Sequence, residues 1–166
     1  MHLLSCSPLN VADIFIALKI VTATTIDAKA RITVPTEYRD ALNAACGGQI
    51  VITVDVDRCL LIYPLPEWER FEADLRALPN VGKQVRRWHR LYLGHAKPRE
   101  IDGQSRILLP QELRDFAELK KNVCLVGQGN KFELWDQTRW RDSCEEWLQE
   151  EAGSAADESA LEHLSV

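Results

Sequence analysis

Apolar residues along the chain fall into short, strand-length clusters divided by polar turns, and only three stretches carry a helical stripe. Residues 49–54 and 59–63 are apolar runs rich in β-branched and aromatic side chains, and residues 123–126 and 132–135 repeat the pattern. Residues 32–34 and 107–109 are shorter apolar runs, halted by Pro35 and Pro110. The fixed φ of proline suits the opening of a helix, so helices are predicted over 36–45 and 111–119. Gly47-Gly48 and Gly127-Gln128-Gly129-Asn130 mark turns. A one-sided stripe of Trp68, Phe71 and Leu75 predicts a helix over 66–78, broken by Pro79-Asn80. Over 81–93 a second helix is predicted, with Val81, Val85, Trp88 and Tyr92 on one face and Lys83, Arg86, Arg87 and Arg90 on the other. The last helix, 137–151, is acidic outside Trp140, Cys144, Trp147 and Leu148, and an acidic tail follows over 152–166.

The chain repeats itself. Residues 26–40 (IDAKARITVPTEYRD) and 101–115 (IDGQSRILLPQELRD) are identical at eight of fifteen positions, at an offset of 75. Looser echoes follow in the same order: QIVIT with NVCLV, LLIY with FELW, and Trp68 with Trp140. Each unit reads β-β-α-β-β, with a polar D-x-x-x-R turn before its second strand. Four short strands bury little surface alone. The predicted fold class is therefore α+β, mainly β, with two pseudo-symmetric repeats sharing one barrel-like core.

Composition narrows the class. Apolar residues make up 46% of the 166 residues and charged residues 27%, as in a globular chain rather than a disordered one. The longest apolar runs, such as residues 14–18, fall far short of the roughly 20 residues of a membrane span. No basic segment precedes the N-terminal apolar stretch as in a secretory signal, so no membrane partner and a cytoplasmic location are expected. The five cysteines are irregularly spaced and form no C-x-x-C pair, so reduced thiols and no metal site are expected. The net charge of −5 hides an uneven distribution: residues 1–132 carry +3 and residues 133–166 carry −8. Between Val81 and Arg99 there are six cations and no acid.

The duplicated turns are the candidate chemistry. Asp27, Lys29 and Arg31 sit on the first, Asp102, Gly103 and Arg106 on the second. An arginine offers a planar fork of donors that matches a guanine edge or a phosphate. A purely local role is also open, in which each Asp accepts from turn amides and each Arg pairs with its Asp. Lys29 has neutral Gln104 as its counterpart, which makes the first turn the preferred DNA reader; Asp27, Asp102 and Gly103 are assigned to turn shape. Lys83, Arg86, Arg87 and Arg90 are possible phosphate contacts, or a solvated face, or a partner for the acidic helix of a neighbouring copy. No G-x-S-x-G, H-E-x-x-H or complete dinucleotide-binding glycine motif is present, so no catalytic residues and no cofactor are expected. The alternatives to DNA binding are an enzymatic or small-molecule-binding barrel built on the Asp/Arg pairs, and a ring scaffold without regulatory activity.

The two D-x-x-x-R-I-x-x-P turns, the LLIYPLPEW segment and the LVGQGNKFELWD segment together resemble the MraZ family of bacterial regulators, which carry tandem SpoVT-AbrB-type repeats. The resemblance covers about residues 20–150. It implies an AbrB-like swapped-hairpin, double-psi-like β-barrel with extra helices, a ring-shaped homo-oligomer and a nucleoid-associated location. It also implies repression of the division and cell-wall gene cluster through double-stranded promoter DNA with direct repeats. The implied organisation is an extension over 1–16, one repeat over 20–66, a helical connector over 67–93, a second repeat over 94–136, a helix over 137–151 and the tail over 152–166. The family usually has glycine before the turn arginine, where this chain has Ala30 and Ser105. Where such a site requires positive φ, a residue other than glycine costs about 1 kcal/mol.

Overall fold

The computed structural model describes residues 21–79 and 81–153. The extension over 1–16 and the tail beyond residue 153 lie outside the described residues. In chain order the elements are β1 (Val21–Thr25), β2 (Arg31–Thr33), α1 (Thr36–Cys46), β3 (Gln49–Val54), β4 (Leu60–Pro64), α2 (Leu65–Ala77) and α3 (Lys83–Trp88). A π-helical turn, His89–Leu93, continues α3. The second repeat supplies β5 (Lys97–Glu100), β6 (Arg106–Leu108), α4 (Gln111–Phe116), β7 (Asn122–Gly127) and β8 (Phe132–Asp136), followed by α5 (Gln137–Gly153).

The two repeats are interleaved. The large sheet has the order β1-β7-β8-β4-β3-β5, which reads the same backwards once the repeats are exchanged. Each repeat's first strand leaves its own unit and pairs with the third strand of the other: β1 with β7, and β5 with β3. β2 and β6 form a separate antiparallel ribbon in which Ile32 faces Ile107. The second symmetric contact lies between β4 and β8, where Leu61 faces Glu133. The pseudo-twofold axis runs through these two pairs. This is the swapped-hairpin arrangement that the resemblance implies.

Both faces of the large sheet are covered, so its central strands read as unbroken apolar runs rather than an alternation. Ile50, Ile52, Val54, Leu60 and Ile62 join Ile32, Ile107, Tyr38 and Leu113 in the barrel interior. Val51, Leu61 and Tyr63 point the other way, into a cluster with Trp68 and Trp135 that also takes in Phe71 and Trp140. Trp68 and Trp135 are buried and Trp140 is half-buried. Pro35 and Pro110 stand at the N-caps of α1 and α4 with extended ψ, so they end a strand and start a helix in one step.

Two expectations for the connector need correction. The helix starts at Lys83 rather than Val81, and Val81, expected to head the apolar stripe, is 85% exposed. From His89 the helix widens into π geometry, with the Gly94 amide donating to the His89 carbonyl at 3.1 Å. The buried hydroxyl of Thr53 donates to the Tyr92 carbonyl at 2.6 Å, which satisfies one of the last carbonyls of this segment and ties it to β3. Gly94 closes this turn, and a Cβ there would clash with the Arg90 carbonyl oxygen.

Ala30 (φ 62°) and Ser105 (φ 59°) both adopt the left-handed conformation that favours glycine. Ala30→Gly and Ser105→Gly are each expected to raise stability by about 0.5–1 kcal/mol. Chemical denaturation of the single variants checks this; an unchanged or lower midpoint for both would show that the turns are not strained.

Candidate nucleic-acid interface

Each D-x-x-x-R turn is a carboxylate-centred clamp. Asp27 Oδ1 accepts from the amides of Lys29 and Arg31, both at 2.9 Å. Its Oδ2 accepts from Arg31 Nε at 2.8 Å and lies 2.8 Å from Arg31 Nη2. The second turn repeats this, with Asp102 Oδ1 taking the amides of Gln104 and Arg106 at 2.9 Å and Oδ2 taking Arg106 Nε at 2.9 Å. A backbone bond from Ala30 to the Asp27 carbonyl, or from Ser105 to that of Asp102, closes the loop. The clamp comes from residue type: a short carboxylate two to four residues ahead of free amides forms this turn.

These bonds favour the ionised carboxylates. The Arg31 amide, and behind it the Arg31 side chain and the Lys29 amide, hold the Asp27 carboxyl below its ordinary range. The Arg106 amide, the Gln104 amide and the Arg106 side chain do the same for Asp102. Both pairs lie at the surface, with Arg31 21% and Arg106 28% exposed. The local role and an outward role therefore coexist: Nε is turned in toward Asp, and Nη1 has no partner among the described residues.

The turns are coupled through the ribbon. The Ala30 carbonyl accepts from the Leu109 amide at 2.9 Å, and the Ser105 carbonyl accepts from the Val34 amide at 2.7 Å. In the register of β2 and β6, Arg31 faces Leu108 and Thr33 faces Arg106. Directly opposed residues share one face, so all four side chains lie on the outer side while Ile32 and Ile107 seal the core. One surface thus carries both arginines. Lys29 is exposed at its edge, and its ammonium group has no partner among the described residues. The first turn carries one carboxylate and two cations and the second one of each, so their net charges are +1 and 0.

Gly103, expected to shape its turn, does not hold the left-handed position, which falls to Ser105, and a Cβ on Gly103 would meet nothing within 4 Å. The pair Arg39 and Arg114, part of the duplicated block, had no role in the sequence reading. Their Nε atoms donate to the carbonyls of Val34 (2.9 Å) and Leu109 (3.2 Å), tying each helix back to the end of its ribbon strand. Their identical place in both repeats was the available signal.

Lys83, Arg86, Arg87 and Arg90 line one open surface depression on the connector, as the helical wheel implies. Lys97, from the same basic stretch, pairs with Glu112 at 2.8 Å. Among the described residues no group of three or more His, Cys, Asp or Glu side chains forms a metal site, and no helix is long and apolar enough to cross a membrane.

Comparison with known proteins gives the family. The family model described as MraZ protein matches twice in succession, over residues 20–91 and 92–164. The chain belongs to the MraZ family. It is 55% identical over 141 residues to Transcriptional regulator MraZ of Thioalkalivibrio sulfidiphilus, covering 85% of this chain and 94% of the relative. It is 52% identical over 130 residues to that of Methylococcus capsulatus (78% and 86% covered). With that of Halorhodospira halophila the identity is 47% over 143 residues (85% and 94%). These family members are named as regulators, not as enzymes.

A carboxylate whose pKa is lowered in the folded state adds stability above its ordinary value, about 4, and that stability is lost as pH falls through the lowered value. The melting temperature should therefore drop on acidification below about 4. A double variant, Asp27→Asn with Asp102→Asn, should melt lower at neutral pH and fall less steeply in acid. Parallel melting curves across pH 2–7 would show that the turn carboxylates do not contribute.

Proposed function

We propose that the chain is a DNA-binding transcriptional regulator that presents the two D-x-x-x-R turns and the β2–β6 ribbon to double-stranded promoter DNA. The observation that carries this reading is the ribbon's outer face. Arg31 and Arg106 are fixed there by their own carboxylates, Lys29 stands beside them, and a two-stranded ribbon is an element the major groove admits. Preformed donors lose less entropy on binding than free side chains. The names of the relatives agree with the reading. In its finer form, the chain is a ring-shaped homo-oligomer that reads direct repeats. It represses the promoter of the division and cell-wall gene cluster, and is nucleoid-associated in the cytoplasm. Lys83, Arg86, Arg87 and Arg90 would add phosphate contacts. An enzymatic use of the Asp/Arg pairs draws no support from the geometry, since each carboxylate already holds two amides and a guanidinium.

Binding to duplex DNA from upstream of the chain's own gene tests this, measured by mobility shift at a series of salt concentrations. Affinity should fall linearly with salt on log–log axes, because bound cations release counterions. A flat response, or no shift at low salt, would refute the reading.

Arg31→Ala should weaken specific binding more than Arg106→Ala, because Lys29 strengthens the field at the first turn. A base-reading arginine carries ~1–3 kcal/mol. Both variants should keep nearly the parent melting temperature, since an exposed ion pair is worth about 0–1 kcal/mol. A folded Arg31→Ala chain with parent affinity would contradict the assignment.

A further inference from the structure

We infer that Leu108 reads thymine methyl groups from the outer face of the β2–β6 ribbon, with Thr33 as its counterpart from the first repeat. This rests on the DNA-binding reading above. Leu108 is the second repeat's equivalent of Thr33, and the two occupy matching places: Thr33 opposite Arg106, Leu108 opposite Arg31. Both point outward, and Leu108 is 50% exposed while its neighbours Ile107 and Leu109 are buried. A lone exposed leucine is ordinary on a protein surface. This one is the direct cross-strand neighbour of a clamped arginine, in the middle of the surface proposed to meet DNA.

The chemistry of the groove decides what it can recognise. Leucine has no donor or acceptor, and the apolar feature of a base pair in the major groove is the thymine C5-methyl. Opposed positions on adjacent strands lie roughly 5 Å apart, between one and two steps of 3.4 Å along a DNA strand. An arginine at a base edge therefore brings its cross-strand neighbour to the adjoining base pair. Threonine at the equivalent place offers a methyl and a hydroxyl, so it tolerates more bases than leucine does. The two halves of a nearly twofold ribbon then differ in selectivity, and the chain reads a directional site rather than a palindrome.

Uracil substitution tests this, because it removes only the C5-methyl. Duplexes are selected from a random pool with the full chain. Each thymine of the selected site is then replaced in turn by uracil, and affinity is measured with the parent chain and with Leu108→Ala. The parent should lose about fourfold at one or more thymines beside a guanine, the worth of one buried carbon group. Leu108→Ala should bind the thymine duplex more weakly and show no further loss at those positions. The parent scan does not depend on how the variant folds. A parent chain indifferent to uracil throughout, or a Leu108→Ala chain with the full uracil penalty, would overturn the inference while leaving DNA binding intact. A variant that instead changes oligomer size and keeps the uracil penalty would make Leu108 an interface residue and also overturn it. Failure of the parent chain to select any duplex would remove the DNA-binding reading itself, and this inference with it.

Discussion

The pairing of β2 with β6 across the pseudo-twofold axis is the constraint on which the rest depends. Strands of three residues are not stable alone. These are held by the Ile32–Ile107 contact in the barrel core and by two bonds that cross between repeats, Leu109 amide to Ala30 carbonyl and Val34 amide to Ser105 carbonyl. Those carbonyls belong to Ala30 and Ser105, both in left-handed conformation. Turn geometry, ribbon and repeat docking are thus one unit, and neither repeat holds its own turn in place without the other. The exchanged strands β1 and β5 extend the same dependence to the large sheet.

This constraint links fold to site. A guanidinium on a free loop samples many rotamers and loses them on binding. Here the Asp carboxylate fixes Nε, the turn amides fix the carboxylate, and the ribbon fixes the turn. The arginines therefore stand on a rigid frame at matching places on one surface. Duplication supplies two such places within one chain, and the differences between Lys29 and Gln104, and between Thr33 and Leu108, make them chemically unequal.

Much of this was readable from residues alone. The duplicated block, the proline stops after residues 34 and 109, and the apolar runs over 49–54 and 123–126 located the strands because those signals are local. The Asp–Arg spacing located the turns for the same reason. What escaped depends on contacts distant in sequence. Residues 89–93 of a predicted helix take π geometry, with the Tyr92 carbonyl held by Thr53 from β3, and no periodicity within 81–93 carries that information. Val81 fits the stripe, yet the helix begins two residues later. The outward direction of Leu108 was hidden because the run 107–109 is uniformly apolar and three residues are too few to display alternation. Exchange of β1 and β5 between repeats followed from family resemblance and not from pattern, since the residues of β1 favour a strand without naming its partner.

The most direct test of the whole account is amide hydrogen exchange of the full chain with and without the DNA it selects. Binding through the ribbon slows exchange at residues 27–33 and 102–108 together, with the 27–31 turn changing most. Protection confined to the connector around 83–90, with both turns unchanged, would contradict the assignment of the ribbon as the surface that meets DNA.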